Sequence, residues 1–156
     1  MSNSYLDLLK EADYNDLMIK QVFDYYRHCY LGNERYEHIV YSDRIPKQLR
    51  THDFIGVSNR TLGFNVPSRS TISGGQIRGA LLQVGLLKAS GHELFRGCIV
   101  FPTINEEGQI ISAVGYRYGK RVRHWQVPVI YWARPDNFAY VSQAMQSIKE
   151  VLHGKA

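Results

Sequence analysis

The sequence predicts an α+β fold: N-terminal helices, a small antiparallel sheet with an inserted helix, and a C-terminal helix. Three observations lead there. Cys98–Ile104 and Gln109–Tyr118 are apolar runs rich in strand formers. The four residues Asn105-Glu106-Glu107-Gly108 between them are a polar break, with glycine where a hairpin turn needs positive φ. Apolar residues recur with a helical rhythm before Phe54 and again after Asp136. A further helical stretch, Gly74–Leu87, lies between a short strand-like run, Phe54–Val57, and the hairpin.

Along the chain, Ser4–Glu11 carries three leucines among polar residues and can start from a Ser4 cap. Asn15 or Asp16 then caps a better helix, Leu17–Tyr30, with Met18, Val22, Tyr25/Tyr26 and Cys29 on one side. Gly32-Asn33 stops it. Glu34–Tyr41 predicts a second short helix. Ile45-Pro46 opens a third, ending near His52, since proline fits a first helical turn. Asn59–Thr71 reads as loop. In Gly74–Leu87, Ile77, Leu81, Leu82 and Val84 share a face, and Gly85 costs some helicity. Pro102 inside the first hairpin strand removes a ladder donor, which predicts an edge or a bulge there. Val127–Trp132 is a third strand, and Phe138–Leu152 an amphipathic C-terminal helix after the turn Arg134–Asn137. Two adjacent apolar strands imply burial on both faces, or one face under helices and the other under a partner. The expectation adopted is a sheet with helices on one side.

At 156 residues, 44% hydrophobic and 21% charged, the chain is expected to form a single soluble domain. Its parts are a helical part (1–53), a basic sheet part (54–134) and a C-terminal helix (135–156). No apolar run approaches the ~20 residues of a membrane span. Neither a secretory signal nor a CxxC spacing is visible, so a reducing cytoplasm is expected and Cys29 and Cys98 read as small buried residues. The net charge of +5 is uneven. Residues 1–59 hold seven Lys or Arg against nine Asp or Glu, whereas residues 60–134 hold ten against three. A basic middle of this kind faces a polyanion or is simply solvated.

Glu93–Pro102 (E-L-F-R-G-C-I-V-F-P) and Asn105–Gly119 (N-E-E-G-Q-I-I-S-A-V-G-Y-R-Y-G) resemble the front half of the catalytic region of DnaG-type bacterial primases, especially primase-like proteins of mobile elements. Asp24-Tyr25-Tyr26, Ile55–Gly63 (I-G-V-S-N-R-T-L-G), Ile77–Gln83 (I-R-G-A-L-L-Q) and Ser90–Gly97 (S-G-H-E-L-F-R-G) extend the resemblance over residues 20–120. One departure is Cys98, where the family pattern has a second arginine. The Cys/His zinc ribbon that precedes this region in such primases does not occur in this sequence. Nor does an Asp-x-Asp of the kind that holds their catalytic metals. The resemblance therefore implies the template-binding subdomain alone: no metal, no cofactor and no catalysis.

The resemblance also implies site residues. Arg96 and Arg117 match basic positions along the groove for single-stranded template. Guanidinium groups neutralise phosphates and stack on bases; the plain alternative is surface arginine in solvent. Arg60 and Arg78 sit in matching blocks and are further candidates. Lys120, Arg121 and Arg123 with Trp125 form a basic run beside an aromatic. They are either a nucleic-acid contact or charges that solvate an edge strand. Arg96, Arg117, Lys120, Arg121 and Arg123 are expected on one continuous face. His92-Glu93 offers an acid/base pair, with turn hydrogen bonds the favoured reading, and Gly74-Gly75 offers a phosphate-binding helix start or a plain turn. The expected role is a non-enzymatic DNA-binding protein for single-stranded DNA, accessory to replication or priming of a plasmid, phage or other mobile element. A polymerase or helicase of that element is the protein partner to look for. The alternative is a protein-interaction module that docks on a replication protein or host factor without nucleic acid.

Overall fold

The computed structural model describes residues 3–68, 70–119 and 127–135. Three helices, α1 (Asn3–Tyr30), α2 (Glu34–Val40) and α3 (Ile72–Gln83), accompany four strands, β1 (Gly56–Val57), β2 (Cys98–Ile104), β3 (Ile110–Arg117) and β4 (Val129–Ala133). The strands form one antiparallel sheet in the order β1-β2-β3-β4. The α+β expectation holds. The expected C-terminal helix, Phe138–Leu152, lies outside the described residues.

The hairpin forms as its turn chemistry dictates. Gly108 takes φ +83°, and the Asn105 side-chain oxygen accepts from the backbone N–H of Glu107 and Gln109 at 3.0 and 2.9 Å. Pro102 lies in a central strand, yet β1 pairs only with Ile99 and Val100. The Pro102 carbonyl accepts from His52 Nε2 at 2.6 Å on the side away from β3, so the missing N–H faces a stretch with no ladder partner. Pro102 is edge-like, and the register shifts between Thr103 and Ile104.

Because successive strand residues point to opposite faces, β2 divides its apolar side chains between two layers. Cys98 and Val100 join Phe23, Tyr26, Leu81, Phe95 and Trp132 beneath α1 and α3. Ile99 and Phe101 join Tyr36, Val40, Ile45, Val114 and Tyr116 on the other face, beneath α2. The sheet is thus covered on both faces, and the expectation of helices on one side only is corrected. Gly115 is needed for the first layer. A Cβ there would come within 2.5 Å of the Phe95 ring.

Local boundaries differ too. α1 is one helix of 28 residues, not two. No Gly or Pro interrupts Asn3–Tyr30, and Ile19, Phe23 and Tyr26 are fully buried on one stripe, which outweighs the cap preference of Asn15 and Asp16. Asp16 instead pairs with Arg134 at 2.7 Å. The expected helix Ile45–His52 is a single 3₁₀ turn, Lys47–Leu49, because His52 is committed to Pro102. α3 ends at Gln83, earlier than expected. Gly85 at φ +83° terminates it in a Schellman motif, with Leu86 N–H to Leu81 O at 3.0 Å and Gly85 N–H to Leu82 O at 3.1 Å. At the other end Thr71 Oγ1 caps the Gly74 N–H at 3.0 Å. A Cβ on Gly74 would clash with Ser68 O at 2.1 Å, so Gly74 serves packing and a plain turn.

Candidate nucleic-acid interface

The loop between β1 and α3 carries Arg60 in the left-handed region, φ +70°, the one described non-glycine residue there. Side chains on either side hold it. Ser58 Oγ donates to Glu93 Oε1 at 2.8 Å, and Tyr118 Oη donates to the Ser58 carbonyl at 3.0 Å. Thr61 Oγ1 donates to the Asn59 side chain and is bonded to Tyr25 Oη; Asn65 Nδ2 reaches Tyr25 Oη at 2.8 Å and the Thr61 carbonyl at 2.9 Å. These bonds over-determine the loop, as a strained backbone requires. The Arg60 guanidinium is aimed across Gly97. A Cβ at Gly97 would lie 3.3 Å from Arg60 Nη2, a contact the exposed guanidinium can relax, and it is the φ of +71° that favours glycine there.

Glu93 is the inner anchor. It is buried and accepts from Tyr26 Oη at 2.8 Å as well as from Ser58. Burial and the adjacent Glu93 carboxylate push the Tyr26 hydroxyl well above its ordinary value, so it stays a neutral donor. The four blocks containing Tyr26, Arg60, Arg78 and Glu93, far apart in sequence, therefore meet in space.

They meet beside an open cavity of about 210 Å³. Arg60, Arg78 and Arg96 all line it, with His92, Glu93 and Phe64. Arg78 Nε is buried without a hydrogen-bond partner among the described residues. Arg96 Nη1 lies 3.3 Å from His92 Nδ1. Arginine has no acceptor, so in this contact the guanidinium donates to the imidazole nitrogen. Phe64 is 88% exposed at the rim. Nothing in the apolar periodicity marked Phe64. The signal available was an aromatic in a Gly-, Asn- and Ser-rich loop two residues after Leu62, which takes the buried position.

Arg117 is placed differently. Its Nε donates to the Val127 carbonyl at 2.7 Å and its Nη1 to the Arg96 carbonyl at 3.3 Å. It ties β3 to the strand end and to the turn carrying Arg96, and it does not line the cavity. Lys120, Arg121, Arg123 and Trp125 lie outside the described residues, so the continuous five-residue face is described only at Arg96 and Arg117. Cys98, at the position of the missing second arginine, is fully buried, and burial pushes its thiol up to about 12 despite the nearby Arg117 charge. Cys29 is half-buried, and both cysteines are free thiols. Among the described residues no three His, Cys, Asp or Glu side chains gather as a metal-binding group, and no helix is long and apolar enough to cross a membrane.

No protein-family model matches the chain, and no curated protein matches it. Solved structures do. A DnaG catalytic core superposes with a TM-score of 0.56 at 15% identity, covering 85% of this chain and 44% of the other. The Aquifex aeolicus primase, zinc-binding and RNA polymerase domains, gives 0.54 at 20%, covering 82% and 30%. A DnaG primase catalytic domain bound to single-stranded DNA gives 0.53 at 14%, covering 83% and 41%. The fold is therefore primase-like, and the chain spans less than half the length of each of these structures.

Proposed function

We propose that this chain is a single-stranded DNA-binding protein built on the template-side subdomain of a DnaG-type primase, and that it acts in replication or priming of a mobile element without catalysing nucleotide transfer itself. The observation that carries the reading is the convergence of Arg60, Arg78 and Arg96 on one cavity beside a solvent-exposed Phe64. Guanidinium groups with an aromatic platform are what a single strand engages: charge for the phosphates, a ring face for a base. The primase-like fold, shared with a catalytic domain bound to single-stranded DNA, supports the same ligand. The non-catalytic part rests on the sequence, which contains no Asp-x-Asp for a metal pair.

Fluorescence polarisation with single-stranded and duplex oligonucleotides tests the binding. Single strands should bind more tightly, with log K falling by roughly 0.7 per phosphate neutralised as log salt rises. Failure to bind any strand near 50 mM salt would overturn the reading. The same protein, given template, nucleotides and magnesium or manganese, should make no primer alone.

A further inference from the structure

We infer that the Arg60–Arg78–Arg96 cavity takes a terminal phosphate, a phosphomonoester, in preference to the internal phosphodiesters of a strand. The inference rests on the single-strand reading above and names which part of the strand this site selects. Its basis is charge and geometry. Three guanidinium groups line the cavity and one carboxylate, Glu93, offsets one of them. The cavity therefore carries a net charge of about +2. A phosphodiester brings one negative charge, whereas a phosphomonoester brings roughly −1.5 to −2 near neutral pH. Only the latter matches.

The donor inventory agrees. A backbone phosphodiester has two free oxygens and must continue on both sides. A monoester presents three oxygens and continues on one. Arg78 Nε is buried and has no acceptor among the described residues, an arrangement that costs free energy until an acceptor arrives. The Glu93 carboxylate accepts from both Tyr26 and Ser58 on Oε1, which fixes the inner wall. Phe64 stands at the open side, where the sugar or base attached to a held phosphate would emerge. Two sources share this chemistry: the end of a DNA strand and a free nucleotide.

The test uses one internally labelled single-stranded oligonucleotide in three forms, with a 5′-phosphate, with a 3′-phosphate and with hydroxyl ends. A deoxynucleoside monophosphate and the matching nucleoside serve as competitors. One phosphorylated form should bind about tenfold more tightly than the hydroxyl form, the gain expected for a charge-assisted contact made by one end only. The monophosphate should compete and the nucleoside should not. Arg78→Lys keeps the charge but removes Nε and the fork, so the ratio of phosphorylated to hydroxyl affinity should fall toward one. Equal binding of all three forms overturns the inference and leaves the single-strand reading standing. Binding of the monophosphate without binding of any oligonucleotide overturns the single-strand reading and assigns the cavity to a free nucleotide. Binding of neither overturns both.

Discussion

Arginine occurs in two contrasting regions of this molecule. At the far end of β4, Arg134 is buried, donates to the Ile110 carbonyl at 2.8 Å and pairs with Asp16 at 2.7 Å. Arg117, nearer the cavity, is likewise occupied by backbone carbonyls. Around the cavity, Arg60 and Arg96 are exposed and Arg78 keeps a buried nitrogen with no partner among the described residues. The residue type is the same, and the acceptors differ. An arginine whose donors are satisfied by its own chain is a strut; under the proposed function the three that line the cavity are recognition groups. The difference cannot be drawn from charge, because all of them are positive.

Removing a strut should cost stability and leave binding alone. Arg134→Ala strips a partner from Asp16 and the Ile110 carbonyl and should destabilise by about 2 kcal/mol, less than for a fully buried pair because Asp16 is half-exposed. Denaturant midpoints measure this, and the folded fraction should bind single-stranded DNA as the parent does. The reverse pattern is expected at the cavity. Arg78→Ala with Arg96→Ala should hold stability within about 0.5 kcal/mol, weaken binding and flatten the salt slope by about one unit or slightly more. A double variant that binds with unchanged slope would erase the distinction. Phe64→Ala separates ring from charge: binding should fall by roughly 1–3 kcal/mol with the slope unchanged.

The buried side of the comparison also responds to pH. Burial raises the Cys98 thiol from 9.0 to about 12. The unfolded chain therefore ionises first as pH rises, binds fewer protons than the folded one, and stability falls. The contribution is full below pH 9 and is lost progressively up to about 12. Between pH 9 and 10 it amounts to about 1 kcal/mol, measurable by unfolding in the two buffers and absent in Cys98→Ala. Above pH 10 the buried Tyr26 adds a loss of the same sign. The smallest effect is expected at Arg60. Arg60→Gly relieves the left-handed backbone, so stability should be unchanged or higher by up to about 1 kcal/mol while DNA binding weakens. A clear loss of stability would make Arg60 a strut.

Most of the fold was legible in the sequence, and for local reasons. The Asn105–Gly108 turn, the apolar strand-forming run Cys98–Ile104 and the Gly32-Asn33 stop all act within a few residues, where turn chemistry and local propensity operate. Arg60, Arg78 and Arg96 were each legible as candidates from the blocks that contain them. Their common destination was not, nor was the place of Phe64 beside them, because the cavity is made by segments that lie apart along the chain, from Arg60 to Arg96, and that only packing brings together. Tertiary structure also decided that α1 runs unbroken past Asn15, that the Ile45–His52 stretch surrenders its helix to the His52–Pro102 bond, and that the second sheet face is closed by α2. In each of these, a local preference worth a few tenths to one kcal/mol met burial or hydrogen bonding worth more. The sequence by itself determined which segments are helix and strand and where the basic residues lie along the chain. Only the folded structure decided which arginines are satisfied by backbone carbonyls and carboxylates and which gather around one cavity, because acceptors are supplied by neighbours in space.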